Sequence, residues 1–240
     1  MNRKLIFCFT YAGGTADFYK ELADELKEDF ELVCFEYPGH GKRRKEELCS
    51  DFDEVVDRLY PELKGYLADG TAKEYAMLGY SMGSLVAFAM LRRITEDASI
   101  PLPVHVFLAA HEPMTKVNII GIPAEKLDDY VRERTIAFNA VPDSLIDNKV
   151  FWRTYLPVYK ADYLMIARYH IESIVFRTDV PCTVFYSETD TRLSDMQKWS
   201  AYFVHDCRLI EYDGGHFFIN KHCDEMAEEI SERLKSNDIC

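Results

Sequence analysis

Apolar positions along this 240-residue chain fall into two alternating periods. Short runs at Leu5–Thr10, Leu32–Tyr37, Tyr75–Leu78, Val104–Ala109, Cys182–Ser187 and Arg208–Tyr212 are rich in Val, Ile, Phe, Tyr and Cys and read as strands. Several are apolar throughout, as strands covered on both faces must be. Between them, Asp17–Leu26, Phe52–Leu67, Ser84–Arg93, Asp195–Phe203 and Asp224–Leu234 carry helical spacing. Pro61 is expected to kink or split the second of these. Alternating β and α elements predict an α/β fold, a mostly parallel central sheet with helices on both faces. One block breaks the alternation. From Pro113 to Phe176 there is no strand pattern, while Ala124–Phe138 and Lys149–His170 read as helices dense in aromatic residues and Met. The expected organisation is a core of residues 1–112 and 177–240 with a helical lid, 113–176, inserted over the C-terminal edge of the sheet. Open α/β sheets bind their ligands at that edge.

Composition narrows the function. A formal net charge of −13 argues against nucleic acid and against anionic membrane surfaces. The seven cysteines are scattered and odd in number, with no C-x-x-C pair and no zinc-type spacing, so a reduced cytoplasmic protein without a metal site is expected. The apolar run near the N-terminus is too short for a secretory signal, and no run approaches the roughly 18 residues that cross a bilayer.

The candidate chemistry centres on Gly79-Tyr-Ser-Met-Gly83. It is a G-x-S-x-G pattern with a strand before it and a helix after it, the setting that makes Ser81 a candidate nucleophile. The flanking glycines let the chain turn sharply from sheet to helix, and the helix N-terminus favours developing negative charge. A serine hydroxyl needs a base. His216, in Tyr212-Asp-Gly-Gly-His216 beyond the last strand, is placed on a loop that can reach it, whereas His40 is expected to shape its own loop. The loop after Cys182–Ser187 offers two acids to orient that base, Asp190 and, as the competitor, Glu188. The order Ser81, Asp190, His216 is that of the α/β-hydrolase fold. An oxyanion would be held by the Met82 N–H and a donor from the loop Thr10–Thr15, Ala12 before Gly13. Acyl transfer of this kind requires no metal or organic cofactor.

Five segments carry a more specific resemblance. Tyr11–Tyr19, Tyr37–Arg44, Gly79–Gly83, Leu156–Tyr163 and Gly214–Phe218 together resemble the signature segments of type II thioesterases. These are the stand-alone α/β-hydrolases that accompany polyketide synthases and non-ribosomal peptide synthetases. The resemblance implies a helical lid over the serine and hydrolysis of acyl groups from the phosphopantetheine arm of acyl- or peptidyl-carrier domains. It carries the triad onto Ser81, Asp190 and His216, with Ala12 and Met82 as oxyanion donors. The chain departs from the family at Thr10-Tyr11 (commonly Pro-His), at His40 (commonly Arg) and at Ser187 (often Gly).

Two other readings compete: a general carboxylesterase on the same fold, and a non-catalytic receptor or interaction module. The lid stripe Tyr155, Tyr159, Tyr163 and Met165 is expected to form the acyl pocket. The basic run Lys42-Arg43-Arg44-Lys45 is the expected contact for an acidic carrier domain.

Overall fold

The computed structural model describes residues 4–68, 74–97, 99–114 and 119–236. The strand-like runs become β1 (Lys4–Phe9), β2 (Phe30–Cys34), β3 (Tyr75–Tyr80), β4 (His105–Ala109), β5 (Cys182–Tyr186) and β6 (Arg208–Glu211). They form one sheet in the order β2-β1-β3-β4-β5-β6, and every adjacent pair is parallel. All strands therefore end at the same edge, and the loops leaving that edge converge.

Alternation along each strand sorts side chains to two faces. Leu5, Phe7 and Phe9 join the larger core beneath α2 (Phe52–Leu67) and α3 (Met82–Glu96), while Ile6 and Cys8 join the core under α1 (Lys20–Leu26) and α7 (Cys223–Ser236). In α2 the buried Phe52, Val55, Val56, Leu59, Leu63 and Leu67 recur at three- and four-residue steps, and Asp51 caps the start by accepting from the Glu54 N–H at 2.8 Å. Pro61 does not split this helix, which runs unbroken on both sides of it. Buried side chains hold both halves against the sheet, and packing outweighs the lost backbone bond.

The second strand begins and ends earlier than its apolar run predicts. Phe30 enters the sheet opposite Lys4, and the Phe35 N–H makes a last bond to the Cys8 carbonyl at 3.0 Å. Phe35 and Tyr37 are buried, yet their backbone has left the strand. Their apolarity reports burial, not pairing.

The block between β4 and β5 holds α4 (Ala124–Ala137), α5 (Lys149–Arg168) and short 3₁₀ turns, with no strand among its described residues up to Phe176. The two helices pack on each other: Thr135 Oγ1 lies 3.2 Å from Tyr163 Oη, and the Arg132 guanidinium sits 5.2 Å from the Trp152 ring. Pro157, like Pro61, sits inside a continuous helix. Beyond β5, α6 (Leu193–Met196) continues into a 3₁₀ turn ending at Tyr202. No helix among the described residues is long and apolar enough to cross a membrane.

Candidate active site

Ser81 stands between β3 and α3 with φ 53° and ψ −121°, a backbone conformation that costs a non-glycine residue on the order of 1–3 kcal/mol. Its surroundings hold it there. Its N–H donates to the Ala109 carbonyl of β4 at 2.8 Å, and its own carbonyl accepts from the Ser84 N–H at 2.8 Å. The Ser84 hydroxyl, fully buried, lies 3.0 Å from the Gly79 carbonyl and 2.9 Å from that of Ala109, and it accepts from the Ala109 N–H. The turn also needs closeness. A Cβ on Gly83 would come within 1.9 Å of the Phe9 carbonyl oxygen. Ser84 positions this elbow, a role that the sequence pattern does not mark.

The loops after β3, β5 and β6 bring Ser81, Asp190 and His216 together. His216 Nδ1 donates to Asp190 Oδ2 at 2.9 Å. A carboxylate only accepts, so the proton resides on Nδ1. Nε2 is left free to accept from the Ser81 hydroxyl, 2.9 Å away. The loop that carries His216 is fastened from two sides. Tyr80 Oη donates to the His216 carbonyl at 2.8 Å, and Ser187 Oγ donates to the Gly214 carbonyl at 2.5 Å, joined there by Thr189. A glycine at position 187 could not make that bond. Glu188 is turned away: its Oε2 accepts from the Leu193 N–H at the start of α6 at 2.7 Å.

The β1 loop makes a tight turn in which the Gly14 N–H returns to the Tyr11 carbonyl at 2.9 Å and Gly13 takes φ 75°. The Gly13 N–H donates to Asp162 Oδ2 of α5 at 2.7 Å, so it is occupied. No acceptor among the described residues takes the Ala12 or Met82 N–H. Tyr11, where the resembling family commonly has His, packs edge-on against Phe18 and Phe217 at 4.9 and 4.8 Å.

His40 occupies a buried clasp. Its Nδ1 faces the Pro38 carbonyl at 3.0 Å and its Nε2 faces Asp162 Oδ2 at 2.9 Å. Both partners only accept, so both ring nitrogens carry protons and the pair is ionic. Burial by itself would lower the His40 pKa, but the Asp162 carboxylate and the bonds to Asp162 and Pro38 more than offset it, and the net shift is upward. The clasp ties α5 to the loops after β1 and β2. A raised folded-state pKa gives stability that is complete below the unfolded value of about 6.5 and is lost as pH rises through the folded value. His40→Gln should therefore cost roughly 3 kcal/mol at pH 6. Its deficit against the parent should shrink as pH climbs toward 9, read by urea unfolding across that range. A deficit that ignores pH would show that His40 acts by shape alone.

Other histidines differ. His105 bonds Thr183 Oγ1 at 2.9 Å, and burial pushes its pKa down to about 4, so it is a neutral strand residue. His111 lines the site, and burial also lowers its pKa.

Ser81, His216 and Asp190 open on a cavity of about 170 Å³. Its far wall comes from α4 and α5: Arg134, Phe138, Tyr163 and Ile166. The Phe138 ring lies 4.5 Å from the His216 imidazole. Of the four lid residues expected here, only Tyr163 lines the cavity. Tyr159 is pressed under Gly13, Met165 is buried in the core, and Tyr155 is half exposed and stacks on Phe151. Arg134 and Phe138 went unnoticed as site residues, although their one-turn spacing marks a common helix face. A second groove of about 580 Å³ begins at Gly13 and is lined by His40, Lys42, Arg44 and Tyr155. Within the basic run, Arg43 is not free. It grips Glu46 through two bonds of 2.7 Å and donates to the Glu36 carbonyl, while Lys42, Arg44 and Lys45 are exposed.

A family model described as a thioesterase domain matches residues 4–234. Gramicidin S biosynthesis protein GrsT of Aneurinibacillus migulanus is 23% identical over 236 residues, covering 96% of this chain and 88% of its own. Among solved structures, ClbQ from the colibactin NRPS/PKS pathway superposes with a TM-score of 0.86 at 22% identity, covering 99% of both chains. The type II thioesterase BorB from the borrelidin biosynthetic cluster superposes with a TM-score of 0.80 at 25% identity, covering 97% of this chain and 93% of BorB.

Proposed function

The chain belongs to the thioesterase domain family, and on that premise we propose that it is a serine thioesterase that clears acyl groups from carrier domains of a polyketide or non-ribosomal peptide assembly line. The observation that supports this reading is the hydrogen-bonded series Asp190–His216–Ser81 opening on a small cavity walled in part by residues of α4 and α5.

In this reading Ser81 Oγ attacks the thioester carbonyl while His216 Nε2 takes its proton. The oxyanion is met by the Ala12 and Met82 N–H groups. The carbon–sulfur bond then breaks, and the pantetheine sulfur leaves with the proton held on His216. Water attacks the acyl-Ser81 ester with the same imidazole as base, and the free acid departs. Asp190 keeps the imidazole in the productive tautomer and stabilises its charged form. Residues 113–176 act as the lid. Six unpaired cysteines among the described residues fit a reducing cytoplasm.

Carrier domains are acidic and so is this chain, so their approach relies on a local positive patch. Lys42 and Arg44, which line the groove that starts at Gly13, supply it. The test compares hydrolysis of an acyl-carrier thioester, the same acyl group on N-acetylcysteamine, and an oxygen ester. The carrier thioester should give the highest kcat/KM, and Lys42→Glu with Arg44→Glu should raise its KM about tenfold while sparing the small thioester. Preference for the oxygen ester would favour a general esterase. Equal loss on both thioesters would remove the patch from carrier binding.

A further inference from the structure

Arg134 is an unusual residue to find on the wall of an acyl cavity. Its guanidinium is held over the rings of Phe138 and Tyr163, 4.9 and 6.0 Å from their centroids. Its Nε is buried and has no hydrogen-bond partner. Neither terminal nitrogen makes a hydrogen bond or ion pair with any described residue. A buried donor left without an acceptor in a native fold calls for an explanation, and a ligand oxygen is one. Arg134 is also the only Lys or Arg among the described residues lining the cavity. Phe138 separates it from His216, so the cation stands one aromatic ring away from the base.

The cavity's size limits what can reach from Ser81 to that cation. About 170 Å³ is close to the roughly 150 Å³ of an apolar cavity that admits benzene, so an acyl group of about six heavy atoms fills it. The two carboxylates that also line the cavity are engaged, Asp190 by His216 and Glu112 in part by Thr191 Oγ1 at 3.5 Å. A planar guanidinium fork with unused donors matches a carboxylate.

We propose that Arg134 selects short acyl groups that end in a carboxylate, dicarboxylic monothioesters of the malonyl type. The proposal rests on reading Ser81 as the nucleophile of a thioesterase and adds the substrate class. The acyl carbonyl sits at Ser81, and the distal carboxylate accepts from the Arg134 N–H groups. Nε, silent in the free protein, gains an acceptor within reach.

Malonyl and isovaleryl thioesters of N-acetylcysteamine provide the test, since their acyl groups have the same number of heavy atoms and differ in charge. The malonyl-to-isovaleryl ratio of kcat/KM should fall about 10- to 100-fold in Arg134→Met, and Arg134→Lys should restore part of it. Calorimetric binding of both compounds to Ser81→Ala should show the same preference, again lost with Arg134→Met. If Ser81→Ala prefers malonyl but the parent hydrolyses no thioester, the hydrolase reading fails and the Arg134 assignment stands. A ratio unchanged in Arg134→Met, whatever the absolute rates, overturns the assignment. So does tighter binding of the β-alanyl thioester than the malonyl one, which would give the cavity's charge preference to Glu112.

Discussion

Ser81→Ala is expected to lower thioester hydrolysis by about 10⁴-fold or more while leaving thermal unfolding within a degree or two of the parent. The hydroxyl is the only group lost. The strained backbone at φ 53° is set by the Ala109 and Ser84 bonds, and alanine keeps both. His216→Ala should cost about as much, because no other imidazole reaches Ser81 among the described residues. Asp190→Asn should also cost on the order of 10⁴-fold, for a subtler reason. An amide nitrogen facing Nδ1 donates instead of accepting, so the ring proton moves to Nε2 and the base is blocked. Glu188→Gln should stay within a few-fold of the parent, since Glu188 Oε2 serves the start of α6. Steady-state kinetics on one small thioester would decide the matter. Near-full activity in Asp190→Asn with loss in Glu188→Gln would move the acid to Glu188.

The second large effect is on folding. Gly83→Ala adds one methyl group, yet its Cβ would lie 1.9 Å from the Phe9 oxygen and 2.5 Å from the Phe9 carbonyl carbon. Neither neighbour is a side chain that can swing aside. Phe9 ends β1, which is paired on one edge with β2 and on the other with β3. Relief requires α3 to lift off the sheet, taking Ser81 with it. The expected cost exceeds about 4 kcal/mol, a size reserved for overpacked cores and broken networks. For a chain of this length that lowers the midpoint by about 8 °C or more. Gly65→Ala in α2 is the control, because nothing lies within 4 Å of the added Cβ. It should be neutral or stabilising by up to about 1 kcal/mol. Equal midpoints for the two variants would mean that the elbow tolerates a wider turn.

Much of this was legible in the chain because the relevant signals are local. Ser81, Asp190 and His216 each follow a strand by a few residues, and a parallel sheet gathers all such loops at one edge. The departures at positions 11, 40 and 187 were equally visible, but what they do was not. Tyr11 packs on aromatic rings, His40 pairs with a carboxylate 122 positions away, and Ser187 holds the loop that carries His216. Each role depends on a partner far along the chain. Arg134, Phe138 and Asp162 were missed for a related reason. Helical period shows that a face is shared but not what that face looks at. The pocket stripe failed on the same point, because burial alone does not separate a cavity wall from a packed core. Tyr159 and Met165 are apolar and inward-facing, yet they pack instead of lining space.

The strand order has a consequence for how the enzyme is born. After β1 and β2 pair, β3 takes the other edge of β1, and β4, β5 and β6 are each laid on the free edge of the strand before. A chain emerging from the ribosome can extend its sheet without opening a pair already made. The elbow is complete once β4 supplies Ala109, but the imidazole that hydrogen-bonds Ser81 is encoded 135 positions beyond it. At about 5–20 residues per second, that is a delay on the order of ten seconds. Throughout it the nascent protein carries a Ser81 hydroxyl without its imidazole partner. Under the proposed roles of Ser81 and His216, the cell's own acyl thioesters meet an assembled site only when synthesis has passed the last strand.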